Sequence, residues 1–143
     1  MPTYLPGDRG STTLELVVWA PVLLLIGLVI VLAGRVAQAD QTVEVAAAEA
    51  ARAASAASTA AQARSRAAAA AHAALSSAGL HCAAATVSID TSQWSRPPGT
   101  PARVSATIGC RVAIDDLAIP GLPGTRTITS TATSAIDTYR ARP

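Results

Sequence analysis

A chain of 143 residues holds one domain and little more. Half of it is apolar, yet aromatics make up 3 %, Phe is absent and the charged share is 14 %, against about 25 % in ordinary soluble domains. A net charge of +2 on scattered arginines, two cysteines and two histidines disfavour a nucleic-acid binder, a structural zinc module and a large enzyme, and leave membrane-anchored or extracellular chains as the leading class.

Residues 1–10 form a polar leader with two prolines, two glycines, Asp8 and Arg9. From Leu16 to Gly34 runs LVVWAPVLLLIGLVIVLAG, without a charge. As a helix it is about 28 Å long, close to the roughly 30 Å hydrocarbon core of a bilayer. A soluble helix is almost never apolar on every face for that length, so residues 11–35 are assigned as a transmembrane helix. Pro21 lies near the start of the span; Gly27 and Gly34 are tolerated in membranes and suit helix packing.

Past Arg35, residues 36–79 are an alanine-rich tract whose stretch from Val36 to Ser77 holds neither Pro nor Gly. Alanine is the best helix former, so the tract reads as a helical rod continuous with the span, about 65 residues and roughly 100 Å in all, stopping at Gly79. Its small side chains let other helices approach closely. Residues 80–143 change character. TVSID (Thr86 to Asp90), RVSATIGCRVAI (Arg103 to Ile114) and TRTITSTATSAI (Thr125 to Ile136) alternate small polar with β-branched residues, the pattern of strands. RPPGTP and PGLPG mark turns between them. The fold class expected is α+β: a long N-terminal helix, then a small three-stranded antiparallel sheet on its end, with Val87, Ile89, Val104 and Ile108 on one face.

Cys82 and Cys110 stand 28 positions apart and fit a disulfide in an oxidising compartment; the alternative is two buried free thiols. If bridged, the C-terminal domain faces outward and the N-terminus faces the cytoplasm; arginine counts around the span do not decide orientation. His81 and Cys82 adjoin without metal-ligand spacing, and His72 and Asp115-Asp116 read as solvated or turn residues. No phosphate loop, nucleophile elbow or Ser/His/Asp spacing is present, so neither enzymatic activity nor a cofactor nor a metal is expected. Trp94, beside RPPG, is either an exposed contact or local packing.

The string Arg9-Gly10-Ser11-Thr12-Thr13-Leu14-Glu15 precedes the span directly. A carboxylate at a membrane entrance needs either solvation by headgroups or compensation. Scission between Gly10 and Ser11 supplies an α-amino group one helical turn before Glu15, within reach of that carboxylate on the same or a neighbouring helix.

A glycine before the cut, a glutamate at the fifth mature position and an apolar helix resemble the processing site of type IV pilin-like proteins. RGSTTLELVVWAPVLLLIGLVI, followed by AAAEAARAAS at Ala46 to Ser55, resembles the TadE-like minor pilins or pseudopilins of tight-adherence (Flp-type IV) pilus systems. The resemblance covers Arg9 to Ser55. It implies a non-enzymatic, single-pass membrane subunit cleaved by a membrane prepilin peptidase, with other pilins, assembly subunits and membrane lipid as partners and no nucleic acid. Gly10 then supplies the cut, Ser11 the mature N-terminus and Glu15 the partner of its amine during assembly. Ser11 departs from the Phe that opens many mature pilins. A different reading stays open: Ala37-Gln38-Ala39 has the shape of a signal-peptidase site, and cleavage after Ala39 would release an alanine-rich secreted binding module.

Overall fold

The computed structural model describes residues 11–117 and 123–139. The chain divides into two units, Met1–Gly34 and Arg35–Pro143. Helix α1 (Ser11–Ser55) belongs to the first unit up to Gly34 and to the second from Arg35 onward.

The second unit is a helical layer on a sheet. After α1 come helix α2 (Ala60–Ser77), strand β1 (Ala84–Asp90), a 3-10 turn at Ser92–Ser95, strand β2 (Ala102–Ala113), a helical turn α3 (Ile114–Leu117) and strand β3 (Thr125–Ile136). The strands form one antiparallel sheet in the order β1-β2-β3, pairing Val87 with Ile108 and Ile108 with Ser130. The fold is α+β, and the three strands begin and end within two residues of the segments that alternation picks out.

The alanine tract is two helices rather than one rod, and its sequence carries the reason. Thr59 leaves the helical region (φ −130°, ψ 155°) and its hydroxyl accepts the N–H of Gln62 at 3.2 Å. The Gln62 amide oxygen turns back to accept the N–H and the hydroxyl of Ser58, at 3.0 and 2.8 Å. This is a variant of the capping box, in which a Thr and a Gln three residues later satisfy the free donors of a helix start. At the other end Leu80 donates its N–H to the carbonyl of Leu75 and Gly79 takes φ +69°, the left-handed turn that closes a helix and the stop expected there.

The sheet packs on the C-terminal part of α1, along one face of it, and on α2. Ala39, Val43, Ala46, Ala47, Ala50, Ala51 and Ala54 of α1 are buried, as are Ala63, Ala67, Ala71 and Leu75 of α2. Both sets recur at intervals of three and four, the stripe of an amphipathic helix. Facing them are Ala102, Val104, Ala106, Ile108, Cys110 and Val112 of β2, with Ile128 and Ile136 of β3. Val87 and Ile89 are half-buried at the margin. Asp40 of α1 lies 3.6 Å from Arg126 at the start of β3, and Ser134 near its end donates to the Ser55 hydroxyl at 3.1 Å. Within this unit, then, α1 and β3 run in the same direction.

A covalent tie closes the unit. Cys82, after α2, is bridged to Cys110 in mid-β2 with Cα atoms 5.3 Å apart, so the paired reading of the two cysteines holds. Beyond β1, the backbone N–H and then the hydroxyl of Ser92 hold the exposed Asp90 carboxyl below the usual carboxylate range. Trp94, from the turn that follows, is 8 % exposed and part of the core, so it is packing rather than an exposed contact.

Thr59→Ala is expected to destabilise the second unit by about 1 kcal/mol through loss of the cap, and Cys82→Ser by about 3 kcal/mol through loss of loop closure. Urea unfolding of the full chain, followed by amide exchange of β2, measures both.

Candidate membrane-anchoring and assembly segment

The segment that the sequence marks as functional lies along α1. Its apolar part is bare: Leu16, Val17, Val18 and Trp19 are between 57 and 71 % exposed, and Leu24 is 75 % exposed. An 18-residue stretch of this helix reaches a mean hydropathy of 3.0 with none of it buried. Exposed apolar surface on this scale marks an interaction site, and here it surrounds the helix on every side. Among the described residues it is the one helix long and apolar enough to cross a membrane.

The marked residues occupy this helix as follows. Gly10 lies outside the described residues. Ser11 and Glu15 are both helical and four apart, which places them on one face of α1. Pro21 sits inside the helix, where its missing N–H leaves the carbonyl of Val17 without its helical donor. A Cβ added at Gly27 or Gly34 meets nothing within 4 Å, so neither glycine is required by packing inside this chain. Of the marked residues, Cys82 and Cys110 are brought into contact. Ala37-Gln38-Ala39 lies within α1, and Ala39 is 4 % exposed against the core.

Beyond Arg35 the outer side of the two helices forms a groove of about 920 Å³, lined by Gln38, Gln41 and Val45 of α1 and by Ala70, Ala73 and Ala74 of α2. Val45 is 55 % exposed within it. Composition alone gives no sign of this feature, because it requires the turn at residues 56–59 that folds α2 back along α1. The one available signal is the Thr59-x-x-Gln62 capping pattern. Chemically the groove is plain: alanine methyls, amides, the Thr42 hydroxyl and Glu49, which pairs with Arg52 at 3.0 Å. Arg64 and Arg66 are likewise turned to structural ends, donating to the Thr91 hydroxyl at 2.9 Å and the Ala56 carbonyl at 3.4 Å. Among the described residues no three His, Cys, Asp or Glu side chains gather where they could hold a metal ion, and both His72 and His81 are exposed.

A family model described as TadE-like protein matches residues 10–52. No curated protein and no solved structure matches the chain. Residues 10–52 are thus a TadE-like segment; it begins before the apolar helix and ends on the part of α1 packed against the sheet.

Val45→Asp is expected to change unfolding stability by no more than about 0.5 kcal/mol, since the side chain packs against little in the folded chain. Ala67→Leu, at a fully buried site on α2, is expected to cost about 1–3 kcal/mol through overpacking. Thermal or urea unfolding of the two variants side by side checks the contrast.

Proposed function

We propose that this chain is a non-enzymatic, pilin-like subunit of a tight-adherence pilus or related secretion filament. The observation that carries the reading is an overlap: the TadE-like match at residues 10–52 encloses the bare apolar stretch of α1. In this reading Leu16 to Gly34 holds the subunit in the bilayer. A membrane prepilin peptidase cuts between Gly10 and Ser11. The new α-amino group of Ser11 and the carboxylate of Glu15 then stand on one helix face, and their attraction offsets the cost of a charge at the lipid border.

The disulfide supports the orientation. A bridge persists in an oxidising compartment, so the second unit is extracytoplasmic and the leader cytoplasmic. Assembly partners are other pilins meeting this chain through α1, where Gly27 and Gly34 leave room for a neighbouring helix. The role is structural: incorporation at a tip, or priming of the major fibre.

Three measurements test this. Sequencing the mature N-terminus is expected to find Ser11; Asp40 there would instead indicate a secreted module released after Ala39. Gly10→Val is expected to leave an inserted, uncut precursor that supports no fibre, and normal pili from uncut protein sink the processing step. Glu15→Ala is expected to insert at least as well as the natural chain yet assemble poorly; equal assembly removes the charge-pair role.

A further inference from the structure

The chain has two histidines, His72 and His81, and both line one pocket. This pocket, of about 480 Å³, lies at the C-terminal end of α2. Leu75 and Ser76 of α2 wall it on one side, and Leu80 and Ala83 of the chain leading to β1 wall it on the other.

Nine positions along a continuous helix are about two and a half turns, which sets two side chains on opposite faces. The turn after α2 undoes that separation. Gly79 takes φ +69° and Leu80 donates its N–H to the Leu75 carbonyl at 3.1 Å, so the chain doubles back against the helix it has just left. His81 is the next residue. His72 stands three positions before Leu75 and four before Ser76, on the same face of α2. The helix stop therefore makes the pocket, and the spacing of the two histidines in sequence gives no sign of it.

The surroundings of the two rings decide what they can bind. Both residues are exposed, and among the described residues neither imidazole has a hydrogen bond or an ion pair. Each neutral ring thus keeps one nitrogen free as a lone-pair donor. The Ser76 hydroxyl is engaged with the Ala73 carbonyl at 3.0 Å. Cys82 lines the pocket too, but its bridge to Cys110 leaves it no thiolate to offer. The donor set is two imidazoles with open positions for water. Imidazole suits zinc, copper and nickel, whereas calcium and magnesium call for oxygen ligands. Charge points the same way. No arginine, aspartate or glutamate lines the pocket, and the last turn of α2 carries no basic residue to offset the partial negative charge of a helix C-terminus. A cation is favoured there over an anion.

We propose that His72 and His81 form a binding site for one divalent ion of the zinc, copper or nickel class, held by both imidazoles and completed by water. With two protein ligands rather than the four of a structural zinc site, the ion is exchangeable, and the folding of the unit is left to the core and the disulfide. The pocket lies wholly within the second unit, so the proposal stands or falls independently of the membrane-anchored reading above.

The test uses the full chain in detergent micelles, without an added histidine tag and with its disulfide intact. Zinc chloride is titrated in at neutral pH while long-range proton–nitrogen NMR follows the imidazole nitrogens. The signals of His72 and His81 are expected to move together and to saturate at one zinc ion per chain, and magnesium chloride is expected to move neither. His72→Ala and His81→Ala are each expected to bind zinc at least about tenfold more weakly, since loss of an outer-shell partner alone costs that much. His72→Gln, which keeps a polar side chain, is expected to bind as weakly as His72→Ala. Amide exchange of β2 is expected to stay as in the natural chain in all three, because both positions are exposed. Movement of one ring alone, two zinc ions per chain, or a single-histidine variant that binds as tightly as the natural chain overturns the proposal, because each ring then acts separately. Half an ion per chain overturns it by placing the ion between two copies, and so does zinc that moves neither ring.

Discussion

The shortness of alanine is the constraint on which the second unit depends. Two helices lie over three strands, and the side chains the helices bring are mostly single methyl groups: ten of the twelve buried residues from α1, α2 and the turn between them are alanines. A methyl group removes little apolar area, about 0.8 kcal/mol for each buried CH₂-sized group. Close packing has to supply what area does not, and interiors reach such density only when surfaces interlock without voids. That is why the larger closed side chains, Ile108, Val43, Val104 and Val112, come singly, from the middle strand and one turn of α1. A covalent bridge between Cys82 and Cys110 suits a core of this kind, because loop closure stabilises the fold without requiring more buried surface.

The same residue type makes the helical hairpin. A tract with no proline or glycine from Val36 to Ser77 has every local reason to remain one helix. It turns back because Ser58, Thr59 and Gln62 satisfy the backbone donors of a new helix start, and because folding α2 along α1 lets both alanine stripes face the strands. The local cap and the tertiary burial agree, which is the consistency expected of a sequence that specifies one structure.

Much of this was legible in the chain. Nineteen uncharged residues from Leu16 to Gly34 mark a helix long and apolar enough to cross a membrane, because bilayer thickness sets the length such a helix needs. Alternation with period two located three strands, and it named Val104 and Ile108 as core residues, since a pleated strand sends neighbours to opposite faces. The tract after the span reads as one rod because helix propensity is summed residue by residue, and a single capping pair hidden among alanines carries little weight in such a sum. Trp94 was ambiguous for a related reason. A lone aromatic beside a proline turn has no periodicity, and only the approach of β2 determines that it is enclosed.

By itself, then, the order of residues determined the apolar helix, the spacing of Ser11 and Glu15 on it, and the strand positions, since each follows from periods of 3.6 or 2 along one stretch of chain. The tertiary structure alone decided which elements face one another. It folded α2 back along α1, joined Cys82 to Cys110, and brought His72 and His81 to one pocket. Those outcomes depend on contacts between residues far apart in the chain, where the gain from burial competes with the entropy of closing loops, and no local pattern records which side prevails.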